Sequence, residues 1–581
     1  MEYSLTGLAF TLPAKRVSAW IAETDPKYAR EWLASLPLAD SAATAREIYQ
    51  ALYTLNRQDL DSTRRFELME LYTAPVATVT SSLENYFTHT AFPLSQKKRQ
   101  LAEFILQLHM EMAYGYKGCL HDLEHLRLRW GKKPQRAISH ARALHYLGEV
   151  LFHCYRVYIP FLPNTWREIH AIYLHAVEQH LATEVVEVSA PGDEKTTLVD
   201  EYIRILLLGL CNPYQLPQDE CRQAQLFLRH WGAKAVLQEN PDVSHQRGHF
   251  LVDLTADSPP VPFPTKMQFR PGQTLRMLDT SDLLQTVRFF IQRLQQGDSA
   301  RALSLGVDTL DTVCVEMLQR MLRAWGQAPR RQFSRVQRSG PVFVCSGIGA
   351  LHFFSSGQKP FSPPVLESRT ENPIDNYILP PKIEDEIEPD YGEDEDFIVL
   401  DKPVSQTGPK LESDRMEEAI AITSSLYRVD RWQIKDAAPK GLQLVRQGGG
   451  RAYVRVGDAV GVQQIDEVGH WNVGVVRWMK TPDIDCVEMG IELLASGVRP
   501  VAVAHARGTN EYQYQPALLL PAIETLRRPA TLLLPRGIYS TGNTLLLVEE
   551  EKDSRKVRLL QRLEYTNVFE LMVFADILSE N

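Results

Sequence analysis

Two arginines four residues apart, Arg331 and Arg335, lie in the run Arg330-Arg331-Gln332-Phe333-Ser334-Arg335-Val336, just ahead of an apolar segment at 341–354. A guanidinium can hold an anion, but taken alone such a pair is a weak signal, because solvated helix faces and loops often carry one. A second cluster, Trp432-Gln433-Ile434-Lys435-Asp436-Ala437-Ala438-Pro439-Lys440-Gly441-Leu442, reads as strand, Asp-led turn, Gly and strand. On its own it is an ordinary hairpin, because Asp and Gly are what tight turns require. A third cluster, Trp471-Asn472-Val473-Gly474-Val475-Val476-Arg477-Trp478, is followed by Met489-Gly490-Ile491-Glu492-Leu493-Leu494.

In this order the three clusters resemble the PilZ family. That family carries R-x-x-x-R ahead of its first barrel strand, then [D/N]-x-[S/A]-x-x-G on a strand pair, a G-x-V-x-W-like strand and a closing G-I-x-[F/L]-L strand. Arg331 and Arg335 match the first motif, and Asp436, Ala438 and Gly441 match the second. Residues 474–478 and 490–494 match the closing strands, so the likeness spans about 330–355 and 415–505.

The resemblance implies an antiparallel β-barrel and cyclic di-GMP as the ligand. It implies that Arg331 and Arg335 clamp the ligand, with Arg330 as a third cation. The Asp436 carboxylate would accept from guanine N–H groups, and Gly441 would let the backbone approach closely. An arginine segment that orders on the ligand would reorient what precedes it, here the helical region joined at 325–330. Ala438 stands where a Ser is common, so one hydrogen bond to the ligand is absent. Receptors of this kind act on motility, pilus, biofilm or exopolysaccharide machinery, which implies a protein partner still to be identified. The alternative is a PilZ-like interaction scaffold that has lost nucleotide binding.

The elements that must position these residues fall into two kinds. Residues 1 to about 325 read mainly as helix, with Leu101, Phe104, Ile105 and Leu108 on one stripe and Leu284, Val287, Phe290, Ile291 and Leu294 on another. After Gln327 the character changes: 341–354 has the composition of a strand or hairpin. Short strands are expected at 432–435, 441–446, 459–464, 471–479 and 486–494, a spacing that suits a small barrel. Strand patterns continue to 574.

The expected fold is α+β and multidomain, a helical N-terminal bundle region followed by a PilZ-like barrel and a C-terminal β extension. The expected divisions are a helical domain at 1–185, a second helical region at 186–328, and a barrel at 329–355 and 411–505. An acidic insertion occupies 356–410 and the β extension 506–581.

That insertion separates the two ligand motifs, which usually lie closer together. It is rich in Pro, Ser, Gly and acidic residues, and such composition buries too little apolar surface to offset ordering entropy. Loop-closure entropy grows slowly with length, so the barrel can close around it. The run could compete for the arginines or simply be solvated. A short helix is expected from Met416.

Bulk properties bound the rest. The net charge is −9, and ten of the acidic residues sit between Glu384 and Asp401, leaving the remainder near neutral. No basic excess points to nucleic acid. No apolar run reaches the roughly 18 residues of a bilayer span, and the N-terminus lacks signal-peptide order, so the expected location is the cytoplasm without membrane insertion. Seven scattered cysteines without a C-x-x-C pair read as reduced thiols. His121 and His125 share a helical face, but the Glu is misplaced for a zincin and polar helix surface is the simpler reading. No phosphate loop, nucleophile elbow or catalytic constellation stands out. The expectation is a binding protein, not an enzyme, with no cofactor and no metal.

Overall fold

In the computed structural model the described residues are 2–5, 8–15, 22–37, 40–87, 92–124, 132–188, 195–239, 248–263, 273–307, 311–326, 337, 339–364, 427–448, 454–467, 469–483, 485–506, 513–522, 528–549 and 554–577. Contacts divide the chain into two compact units. The first is Met1–Val344, Asp430–Val460 and Gly474–Leu494; the second is Cys345–Val429, Gly461–Val473 and Ala495–Asn581.

Among its described residues the first unit is dominated by ten α-helices: α1 (Pro26–Ser35), α2 (Ser41–Leu55), α3 (Ser62–Glu84), α4 (Gln96–Glu124), α5 (Lys133–Arg156), α6 (Thr165–Glu178), α7 (Leu198–Leu210), α8 (Gln218–Trp231), α9 (Ser281–Gln295) and α10 (Asp311–Gly326). Side-chain caps open several of them. Asp61 accepts from the amides of Thr63 and Arg64, and Thr197 accepts from Asp200, satisfying donors the helix cannot.

Their core is apolar but crossed by buried charge. Lys117 is fully enclosed and bonds Glu168 at 2.5 Å, and Glu168 also accepts from the Thr11 amide at 2.8 Å. Arg142 grips Glu70 through two bonds of 3.1 Å, and Arg57 does the same to Glu111. Removing one partner of such a pair strands a buried charge, so these bonds fix how the helices stack. The histidines between 140 and 175 belong to this core. His140 bonds His175 at 2.9 Å, and His153 bonds the Ala102 carbonyl at 2.7 Å.

A small four-stranded sheet, Val236–Gln238, His249–Asp253, Val261–Pro262 and Leu275–Asp279, interrupts the helices, in a region that the sequence pattern read as mainly helix. Its strands have two to five residues, too short to display a period.

Two six-stranded antiparallel barrels follow. The first contains β1 (Gly340–Ser346), β2 (Asp430–Ala438), β3 (Gly441–Gln447), β4 (Ala459–Gln464), β5 (Asn472–Asp483) and β6 (Cys486–Ser496), closed in the order β2-β3-β6-β5-β4-β1. The second contains β7 (Arg499–His505), β8 (Gln515–Leu520), β9 (Thr531–Pro535), β10 (Thr544–Glu549), β11 (Arg555–Tyr565) and β12 (Phe569–Asp576), closed as β7-β8-β9-β12-β11-β10. The expected architecture, helices followed by barrel and further β structure, is what the chain adopts, and the C-terminal extension is itself a closed barrel.

The segment at 341–354 is half strand and half helix. After β1 the chain turns at Gly347 into α11 (Ile348–Ser355). Its residues are apolar almost all round, because α11 packs on β7, β8 and β9. A continuous apolar run carries no period that separates strand from helix. Phe361 packs edge-on against His352 at 5.2 Å, and Tyr427 lies 5.4 Å from Phe353. The last described stretch before 365–426 and the first one after it are thus pinned to adjacent residues of one short helix. The helix expected from Met416, and the acidic run between Glu384 and Asp401, lie outside the described residues.

Candidate functional site

The hairpin β2–β3 brings three of the expected ligand residues together. Ala438 pairs directly with Gly441 across the two-residue turn Pro439-Lys440, and Asp436 pairs with Gln443. A bulge between Ile434 and Asp436 shifts the register, so the alternation that buries Trp432 and Ile434 does not carry Asp436 inward. On the far side, β3 pairs with β6, placing Gln443 opposite Gly490 and Gly441 opposite Glu492. The Leu493 amide donates to the Lys440 carbonyl at 2.9 Å and ties the turn to β6.

Burial then sorts the face. Val487, Met489 and Ile491 fill the interior, while Glu488 and Glu492 face outward and are partly exposed, with Gly490 between them covered by the Trp478 indole. Outside, three positions carry almost no side chain: Ala438, Gly441 and Gly490. A Cβ on Gly441 would sit 3.1 Å from the Ile491 carbonyl oxygen. A Cβ on Gly490 would fall on the Trp478 indole, which lies across that glycine. The floor is therefore flat, made of backbone and one indole.

Polar groups rim this floor. Lys435 donates to Glu488 at 2.7 Å, Gln443 donates to the other Glu488 oxygen at 3.2 Å, and Arg477 Nε donates to Glu492 Oε2 at 2.7 Å. The bond to Glu488 raises the Lys435 amine above its usual range, so it stays charged. Arg477 and Glu492 are half-exposed, at 39% and 46% of their side-chain surface. Gln443, Arg477, Glu488 and Glu492 carry no role in the sequence reading. Glu492 is the variable position of the closing-strand motif, and only strand register sets it beside Gly441.

In the sequence the arginine motif follows α10. Burial works against the Arg320 charge, but Glu220 outweighs it and holds Arg320 above its usual range; Arg477 repels it. Trp325, at the end of α10, is fully buried and donates to the Leu207 carbonyl at 3.0 Å. Thr280 donates to the Trp325 carbonyl at 2.8 Å, and Gly248 to that of Gly326 at 3.0 Å. Gly340 then opens β1, which pairs with β2. Arg330, Arg331 and Arg335 lie between these anchors, outside the described residues.

The same unit also ties the barrel to loops that flank the helices. Phe92 and Val454 exchange backbone hydrogen bonds of 3.2 and 3.1 Å. Thr481, near the end of β5, donates to the Tyr158 carbonyl at 2.8 Å, and the Lys480 ammonium lies 4.6 Å from the Tyr214 ring. One strand thus carries Arg477 on the rim and Thr481 against the loop that follows α5.

Comparison with known families completes the picture. Three family models match in succession: the N-terminal domain of the cyclic-di-GMP receptor FimW over 27–242, its middle PilZ domain over 249–500, and the FimW C-terminal beta-barrel domain over 501–577. This is a PilZ-domain protein. The PilZ match begins at 249, ahead of the first barrel, and so takes in α9 and α10. The chain is also 26% identical to the Cyclic-di-GMP receptor FimW of Pseudomonas aeruginosa over 554 residues, covering 92% of this chain and 88% of that protein. No solved structure matches. Among the described residues, no cluster of three or more His, Cys, Asp or Glu could hold a metal ion, and no helix is long and apolar enough to cross a membrane. His121 belongs to α4, and His125 lies outside the described residues.

Proposed function

We propose that this chain is a cyclic di-GMP receptor that acts by binding, not by catalysis, in the cytoplasm. The observation that carries the reading is the ordered match to all three FimW domain models, along 92% of the chain in the case of the relative. The chemistry supports it. Arg331 and Arg335, with Arg330, meet the phosphates and the O6/N7 edges of the guanines, for which guanidinium is suited. Asp436 accepts from a guanine N–H, and Ala438 and Gly441 leave space for the ring.

The ligand exerts control through the arginine segment. That segment starts at Gly326, held by Gly248, and ends at Gly340 in the barrel wall. Ordering it on the ligand changes the restraint between α10 and β1, and the helical region relays the change to a protein partner. The working division is a helical region, a PilZ barrel interrupted by the acidic insertion, and a C-terminal barrel.

Titration calorimetry of the full chain with cyclic di-GMP tests this. Wild type is expected to bind at micromolar concentration or tighter, and Arg331→Ala/Arg335→Ala to lose all measurable heat. A wild type silent at high ligand concentration would leave an interaction scaffold without nucleotide binding.

A further inference from the structure

We infer that Glu492 is a second base-reading residue of the nucleotide site and sets its preference for guanine over adenine; this rests on the receptor reading above. The described rim of the hairpin face carries three carboxylates, Asp436, Glu488 and Glu492, beside Lys435, Lys440 and Arg477. Carboxylate oxygens are acceptors, which suit the N–H donors of a base and not a phosphate.

The Watson–Crick edge of guanine presents two adjacent donors, N1–H and the N2 amino group. A carboxylate accepts both at once. Adenine offers an unprotonated N1 at the same place, which a carboxylate repels. Glu488 is held by two partners, Lys435 and Gln443, one on each oxygen. Glu492 is placed differently. Arg477 Nε engages Oε2 and orients the carboxylate, which leaves Oε1 and a second lone pair on Oε2 to accept from a base. Its row in the sheet, Ala438–Gly441–Glu492, is the row with the least side chain in its floor. A flat ring lying on Ala438 and Gly441 directs its edge towards Glu492. Asp436 stands two strands away and one row along, so the two carboxylates can serve the two guanines separately.

The test uses the full chain as wild type, Glu492→Gln and Arg477→Gln, titrated with cyclic di-GMP and cyclic di-AMP, with thermal unfolding alongside. Glu492→Gln is expected to weaken cyclic di-GMP by roughly tenfold or more, the scale of one bidentate base contact. It should narrow the ratio between the two ligands and leave the melting midpoint near wild type. Arg477→Gln keeps the carboxylate, so it should weaken binding less and preserve the ratio. Wild-type affinity and ratio in Glu492→Gln overturn the inference and leave the receptor reading standing. So does an equal loss in both variants with the ratio unchanged, because that is the signature of a merely structural ion pair. Failure of wild type to bind cyclic di-GMP overturns both.

Discussion

Both barrels close six antiparallel strands, but one is filled almost wholly by aliphatic side chains and the other sets an indole against a guanidinium. In the second barrel the interior is Val501, Val503, Leu519, Leu532, Leu534, Leu545, Leu547, Val557, Leu559 and Met572, joined by Ala517 and Tyr539. Leu518 and Leu533 are buried as well, so both faces of its central strands are covered. In the first barrel Trp432 lies under Arg446, whose guanidinium is 5.4 Å from the ring and paired with Asp430. Closure solves the same edge problem in both. Barrel shape is therefore common to the two, as are ion pairs between strands, and the candidate chemistry follows from the near-bare hairpin face of the first one.

Breaking this comparison begins with acid, which should reach neither barrel first. His109, His140 and His153 are fully buried in the helices, and burial pushes each down to about 3, helped by neighbouring His153, His175 and Arg156 respectively. Their folded values lie below the unfolded value of 6.5, so the unfolded chain binds more protons in between. Stability from these groups is complete above pH 6.5 and falls as the pH drops towards 3, by on the order of 4–6 kcal/mol in total at pH 5. Hydrogen exchange read by mass spectrometry should show α4 and α5 opening between pH 6.5 and 5 while β7–β12 stay protected. Uniform loss of protection would refute a helical origin.

Truncation inside each barrel comes next. Trp432→Ala should cost about 3–5 kcal/mol and abolish ligand binding, since it empties the wall beneath the hairpin. Leu532→Ala should cost about 2–4 kcal/mol in urea unfolding yet leave cyclic di-GMP affinity within about twofold. Equal loss of binding in both would erase the functional distinction between the barrels.

The smallest change sharpens it. Gly490→Ala forces the Trp478 indole off the floor, at a cost of about 1–3 kcal/mol. The expected readout is a red-shifted tryptophan emission with weakened ligand binding. An unshifted spectrum with normal binding would mean the indole is no part of the floor.

Much of this was legible in the chain. The alternation of Trp432 and Ile434 with Arg431, Gln433 and Lys435 reads as a strand because one face is buried and the other wet. The turn at 439–440 is legible from its residue types. The glycines at 474 and 490 are legible as a pattern but not as a cause; the cause is Ile491 and Trp478 pressing on them. Glu492 was not legible as a site residue, because its place beside Gly441 depends on pairing across fifty residues of chain. The four-stranded sheet and α11 were not legible either, the first for want of length and the second because helix and strand look alike when every face is apolar.

The neck formed by Phe361, Tyr427 and α11 bears on how such a chain can change over time. Because both exits are clasped by neighbouring residues, His352 and Phe353, the barrel senses only the two ends of what lies between them. Length and composition there can drift, and whole modules can be gained, without disturbing strand register. The connection from Gly326 to Gly340 holds the arginine pair, so on the receptor reading its residues are not free to drift in the same way. One segment can take new length; the other must keep its side chains.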